Sequence, residues 1–147
     1  MHKKTAFEQV FQIKGGVFIN AGEPSIKIRN ILKDIGIDAD IIRRVAITAY
    51  EAEMNVVMYG QRGMMKLLVT PEKIVLHVED KGQGIKDIEL AMKPGFTTAT
   101  EEMREMGFGA GMGLPNIRKN ADLFNIRSSV GQGTKLEMIF ELNGGNG

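Results

Sequence analysis

GFGAGMGLPNIRKNADLF, Gly107 to Phe124, places glycine at every second position four times and then turns helical. Glycine is less favourable than alanine by roughly 0.5–1 kcal/mol wherever the backbone must be ordered. Such a run is therefore either a flexible connector or a place where something approaches the main chain closely. The run ends at Gly113, and Pro115 stands in the first helical turn, where no N–H donor is needed. Backbone N–H groups at a helix start carry partial positive charge and suit a phosphate. A P-loop would need Lys-Ser/Thr after the last glycine, and Leu114-Pro115 follows instead.

Working outward, "FEQVFQI" (Phe7–Ile13) alternates with Phe7, Phe11 and Ile13 on one face, as a strand does. Ser25 is placed to cap a helix running to about Ile35, with Ile28, Ile31, Leu32 and Ile35 as its apolar stripe and Gly36 as its stop. A longer helix follows from about Asp40 to Tyr59, ended by Gly60. "MKLLV" and "KIVLHVE", joined by "TPE", form a hairpin. "DIELAM" makes a short helix, and another runs from Leu114 to about Leu123. "IRSSV" and "TKLEMIFEL" close the chain as a hairpin turned by "GQG", with Leu136, Met138 and Phe140 alternating inward. This order predicts an α+β two-layer sandwich: a mixed, mostly antiparallel sheet of about five strands with helices on one face. It lacks the regular βαβ alternation of a dinucleotide-binding sheet.

The 147 residues suit one domain, with a core over about 5–142 and a flexible tail at 143–147. Lys plus Arg number 19 and Asp plus Glu 18, so the net charge of +1 gives no basic footprint for nucleic acid. No apolar run reaches membrane-spanning length and no signal segment opens the chain. The absence of cysteine removes disulfides and thiolate metal sites and suits a cytoplasmic location. The two histidines, His2 and His77, lie too far apart in sequence to suggest a zinc pair; His77, within a strand, is expected to be a packed or edge residue.

Three further stretches bear on the glycine run. In "EAEMN", Glu51 and Asn55 are four apart and project from one helix face, among Val45, Ala49, Ala52 and Val56. In "EDKGQGI", Asp80 ends a strand, and Gly82 and Gly84 give a tight turn. "GQGT", Gly131 to Thr134, taken alone is a hairpin turn. Singly, each has a bland explanation: a solvated helix face, an Asp-Gly turn, a hairpin.

In this order, E-x-x-x-N, D-x-G-x-G, a long lid ending G-x-G-L, and G-x-G-T resemble the ATP-binding domain of the gyrase, heat-shock chaperone, histidine-kinase and mismatch-repair ATPase superfamily. "PGFTTATEEMREMGFGAGMGLPNIRKNADLF" is similar in particular to the small bacterial anti-sigma factors and serine/threonine switch kinases. The resemblance covers about residues 5 to 142. It implies ATP and Mg²⁺ as cofactors, with Asp80 accepting from the adenine amine, a charge-assisted contact. It further implies that Gly82 and Gly84 leave room for the base and that Thr134 helps fix the adenine edge. The side-chain oxygen of Asn55 would be the protein ligand of Mg²⁺, which takes few such ligands. Gly109, Gly111, Met112, Gly113 and Leu114 would cradle the phosphates. Glu51 would be the general base for an attacking hydroxyl, an effect worth roughly 10²–10⁴-fold. The lid would span Gly95 to about Gly109, with a capping box at Thr98–Glu101. Some relatives carry an arginine where Gly109-Ala110 stand; Arg104 and Lys119 are the candidate substitutes.

The resemblance implies a Mg-ATP-dependent serine/threonine protein kinase. Its partners would be an antagonist protein of the anti-anti-sigma type and a sigma factor, and it would form a homodimer in which apolar "VFI" (Val17–Ile19) takes part. Two alternatives stay open at this point: a non-catalytic ATP-gated binding module, and the catalytic half of a split histidine kinase. The second lacks its usual partner elements, since neither a helical phosphoacceptor histidine nor a dimerisation hairpin precedes the domain.

Overall fold

The computed structural model describes residues 6–17, 19–59, 61–93 and 113–142. Among the described residues, five strands and four helices follow one another: β1 (Phe7–Lys14), α1 (Glu23–Ile35), α2 (Ala39–Tyr59), β2 (Arg62–Val69), β3 (Lys73–Asp80), α3 (Ile88–Ala91), α4 (Gly113–Asn120), β4 (Leu123–Ser129) and β5 (Gly133–Glu141). They form one sheet in the order β1-β2-β3-β5-β4. Every ladder among the described residues is antiparallel, so the sheet is not mixed. The expected α+β architecture is otherwise what the chain adopts.

Alternation along the strands decides which face is covered. Met65, Leu67, Ile74, Leu76, Met138 and Phe140 are all fully buried. Their partners are Ile28 and Leu32 of α1 and Val45, Ala49, Ala52 and Val56 of α2, buried in the same cluster. The α2 helix crosses β1, β2, β3 and β5, and both α1 and α4 pack on it. It therefore carries whatever lies between the sheet and the two flanking helices. Ile35, expected on the α1 stripe, is instead exposed at the helix end.

The helix boundaries follow from identifiable hydrogen bonds. Ser25 does not cap α1: the helix starts at Glu23, Pro24 lies in its first turn, and Gly22 is the N-cap with φ 101°. No side chain of its own caps it; the buried Glu53 carboxylate of α2 accepts from Gly22 N (2.7 Å), Ser25 N (3.2 Å) and Ser25 Oγ (2.6 Å). Gly36 does end α1, in the left-handed region, with its N–H on the Leu32 and Lys33 carbonyls. Asp38 opens α2 by accepting from Asp40 N at 3.1 Å; Gly60, its expected stop, lies outside the described residues.

The Thr70 hydroxyl accepts from the N–H groups of Glu72 and Lys73 and so ties the β2–β3 turn. Asp87 caps α3 through Leu90 N, as "DIELAM" suggests. The final helix stops three residues short of the expected Leu123. Asp122 N donates to the Ile139 carbonyl, and Asp122 Oδ2 accepts from Glu141 N, which draws the chain onto the sheet edge as β4.

Candidate functional site

One end of the sheet gathers the motif residues. Asp80 is the last residue of β3, the central strand, and its register partners are Gly63 on β2 and Thr134 on β5. Asp80 Oδ1 accepts from Gly82 N at 2.8 Å, which folds the chain into a tight turn. Burial pushes the Asp80 carboxyl above its ordinary value of 3.8, and the backbone N–H groups of Gly82 and Thr134 pull it partly back. A half-buried carboxyl whose desolvation exceeds what its present donors return is suited to take one more donor.

The turn "GQG" is more than a hairpin connection. Gly131 N donates to the Gln83 carbonyl at 2.8 Å, and Ile85 N donates to Ser128 Oγ at 2.7 Å. The two glycine loops thus clasp each other. Gly84 sits at φ 79°, and a Cβ there would collide with the Ser129 carbonyl; Gly133 sits at φ 88°, and a Cβ there would collide with the Asp80 carbonyl. So the structure shows Gly84 serving close backbone packing against Ser129. Thr134 is buried, and its hydroxyl lies 2.8 Å from that of Ser128.

The other half of the site is on α2. Glu51 is half-buried, with Oε2 accepting from Asn116 Nδ2 at 3.2 Å. Its Oε1 lies 3.4 Å from where a Cβ on Gly113 would stand. The carboxylate therefore rests against the first turn of α4, the helix that follows the glycine run. Asn55, also half-buried, is one turn further along α2. Beside it, Val56 Cγ1 comes within 3.0 Å of a Cβ built on Gly63, the strand neighbour of Asp80. The α2 helix thus runs from contact with α4 to the foot of Asp80, with Asn55 between.

Leu114 is buried in the core, so only its backbone is free to face a ligand. Gly109, Gly111 and Met112, together with the lid residues through Arg104, lie outside the described residues. Lys119 is described and stands exposed on α4. His77 is half-buried on β3 and bonded to Glu79 at 2.7 Å, so it is packed but not on an edge strand.

Sequence reasoning missed Glu53, Ser128 and Asn116. Glu53 is four residues after Ala49 and three before Val56, so it falls on the buried stripe of α2, where an acidic residue must have partners. That spacing is a usable signal. Ser128 and Asn116 offered none, because their roles depend on partners distant in sequence.

The donor set fits a purine nucleotide. A half-buried carboxyl beside a buried hydroxyl meets the polar edge of a base, and glycines at a helix start meet phosphate. Similarity to known proteins agrees with this chemistry. The chain is 28% identical over 115 residues to the serine/threonine-protein kinase RsbT of Bacillus subtilis, covering 76% of this chain and 80% of that one. It is 37% identical over 93 residues to an anti-sigma F factor of Thermoanaerobacter, covering 60% of this chain but only 62% of that relative. Among solved structures, the RsbU and RsbW domains of a Mycobacterium tuberculosis protein superpose with a TM-score of 0.59 at 17% identity, over 91% of this chain and 32% of theirs. A mycobacterial sensor histidine kinase, MprB, superposes with a TM-score of 0.53 at 12% identity, over 92% of this chain and 97% of its own. Both superpositions concern the fold. The family model described as the histidine kinase-like ATPase domain matches residues 26–140, and the chain belongs to that family.

Proposed function

We infer that this chain is a Mg-ATP-dependent serine/threonine protein kinase of the anti-sigma, stress-switch type. One observation carries the reading: the Glu51 carboxylate lies against the first turn of α4, directly after the glycine run. A carboxylate there would receive the proton of an attacking hydroxyl if the end of a polyphosphate lies at that helix start, which supports the reading.

Asp80 would accept from the adenine amine, with Thr134 at the same edge of the base. Asn55 would hold Mg²⁺ through its side-chain oxygen, and the backbone around Gly109, Gly111, Met112, Gly113 and Leu114 would hold phosphate oxygens. ATP supplies the transferable phosphoryl group when bound. Glu51 would take the proton of a serine or threonine hydroxyl of the partner, the acceptor of the phosphoryl group that ATP would supply, with ADP as the leaving group. The resemblance to RsbT and to anti-sigma F factors supports an antagonist protein as the phosphate acceptor and a sigma factor as a second partner. Val17 and Ile19 are exposed, which supports a second copy of the chain pairing near the N-terminal strand. No helix among the described residues is long and apolar enough to cross a membrane.

The test is incubation with labelled ATP, Mg²⁺ and candidate partners. Glu51→Gln should bind ATP and transfer nothing, while Asn55→Ala should lose the Mg²⁺ dependence of binding. Label on a partner serine or threonine is the expected outcome. Label on histidine would replace the reading with a split histidine kinase, and binding without any label would leave an ATP-gated module.

A further inference from the structure

Glu51 and Asn116 are 65 residues apart in the chain and meet through a 3.2 Å hydrogen bond from the Asn116 amide to Glu51 Oε2. The contact belongs to a wider arrangement that fixes α4 on α2 at both ends. Seven residues before Glu51, Arg44 donates from Nε to the Asn120 carbonyl at 3.0 Å and from Nη2 to Asp122 Oδ1 at 2.8 Å. Asn120 in turn donates its side-chain amide to the Asn116 carbonyl at 2.9 Å. The buried side chains of Leu114 and Ile117 seat the same helix on the core. Asn116 is therefore presented from a helix whose rotation and height are set independently of Glu51.

We propose that Asn116 is the positioning residue for Glu51: its amide holds Oε2, which aims Oε1 past the bare Cα of Gly113 toward the attacking hydroxyl. The proposal rests on the reading of Glu51 as the base. A glutamate side chain on a helix surface turns about several bonds, so a base without a partner would occupy the productive orientation only part of the time. One donor on one oxygen selects an orientation and leaves the other oxygen to accept the proton. At Gly113 a Cβ would stand 3.4 Å from Oε1, in ordinary contact, so the bare Cα leaves the space beside Oε1 open. The α4 helix follows the glycine run directly, so movement of that helix would be passed to the base through this amide.

The test uses Asn116→Leu, which keeps the size and removes the donor, and Asn116→Asp, which places a like charge beside Glu51. In partner-phosphorylation assays, kcat should fall about tenfold for Asn116→Leu and further for Asn116→Asp, with KM for ATP within about twofold of the original, since misorientation acts on the chemical step. A readout without nucleotide accompanies it: urea midpoints of Asn116→Leu, Glu51→Ala and the double variant. The double variant should lose less than the sum of the single losses, as contacting residues do. Strictly additive losses would overturn the contact. An unchanged kcat for Asn116→Leu, with Glu51→Gln inactive, would overturn the positioning role alone. Normal transfer by Glu51→Gln would instead overturn the base.

Discussion

The Ser25 hydroxyl donates to Glu53 Oε1 across 2.6 Å, so the first turn of α1 is capped by a carboxylate from α2. The same carboxylate takes the N–H groups of Gly22 and Ser25, donors that a helix start leaves unpaired. Glu53 is buried, so bulk water does not reach the carboxylate to replace any of the three. Glutamine at this position has one accepting oxygen and one donating nitrogen, and that nitrogen must face an N–H. Glu53→Gln is expected to lose about 2–3 kcal/mol and Ser25→Ala about 1 kcal/mol, measured by urea unfolding. A Glu53→Gln loss within experimental error would mean that the cap contributes nothing.

Gly84 and Gly131 both hold positive φ, 79° and 82°, but only one of them is crowded. A Cβ on Gly84 would overlap the Ser129 carbonyl, whereas one on Gly131 would meet nothing within 4 Å. Gly131→Ala should cost only the left-handed backbone penalty, about 1–2 kcal/mol. Gly84→Ala must in addition separate the two loops that frame Asp80. It should therefore destabilise the protein clearly more than Gly131→Ala and weaken adenosine binding as well. Equal losses in thermal unfolding would show that the loops are not clasped in solution.

Most of the fold was legible because it is written locally. Ile74, Leu76 and Val78, and then Leu136, Met138 and Phe140, alternate without exception, and period two has only one reading in a half-covered sheet. At the candidate site, the placement of Glu51 and Asn55 on one helix and of Asp80 at a strand end was legible, because each follows from local spacing. What could not be read were contacts set by the tertiary arrangement: Glu53 reaches 31 residues back to Gly22, Ser128 43 residues back to Ile85, and Asn116 65 residues back to Glu51. The early stop of α4 has the same origin. Arg44 and β5 draw Asn120 and Asp122 away from the helical path, against a local pattern that would continue to Leu123.

Asp80 links pH to both stability and binding, with opposite signs. Burial raises its carboxyl above 3.8, so over the interval between the unfolded and folded values the native state holds more protons. Stability then falls as pH rises through that interval, and Asp80→Asn should be at least as stable as the original at neutral pH. With Asp80 as the proposed acceptor of the adenine amine, binding should run the other way, because the ionised carboxylate is the stronger acceptor. Adenosine affinity should decline on acidification at a pH above the ordinary aspartate value of 3.8, and Asp80→Asn should abolish it. Calorimetric titration with adenosine, which has no phosphate to protonate, reads this directly. Tight binding by Asp80→Asn would mean that the base lies elsewhere.

Ser128 has one proton and two lone pairs, and the structure accounts for all three. It accepts from Ile85 N at 2.7 Å and donates to the Gly133 carbonyl at 3.0 Å. Its remaining contact is with Thr134 Oγ1 at 2.8 Å, and Thr134 is the donor there when the Ser128 proton is on the Gly133 carbonyl. In that arrangement the Thr134 proton points inward, and its lone pairs remain for whatever approaches the Asp80 side. Removing the Ser128 hydroxyl strands an N–H and a carbonyl and frees Thr134 to turn. Ser128→Ala should lose about 1–3 kcal/mol in urea unfolding and weaken adenosine binding about tenfold, while Ser129→Ala, on the exposed side of β4, should do neither. If Ser128→Ala bound adenosine as tightly as the original chain, the orientation of the Thr134 hydroxyl would have no part in holding the base, and Asp80 would carry that edge alone.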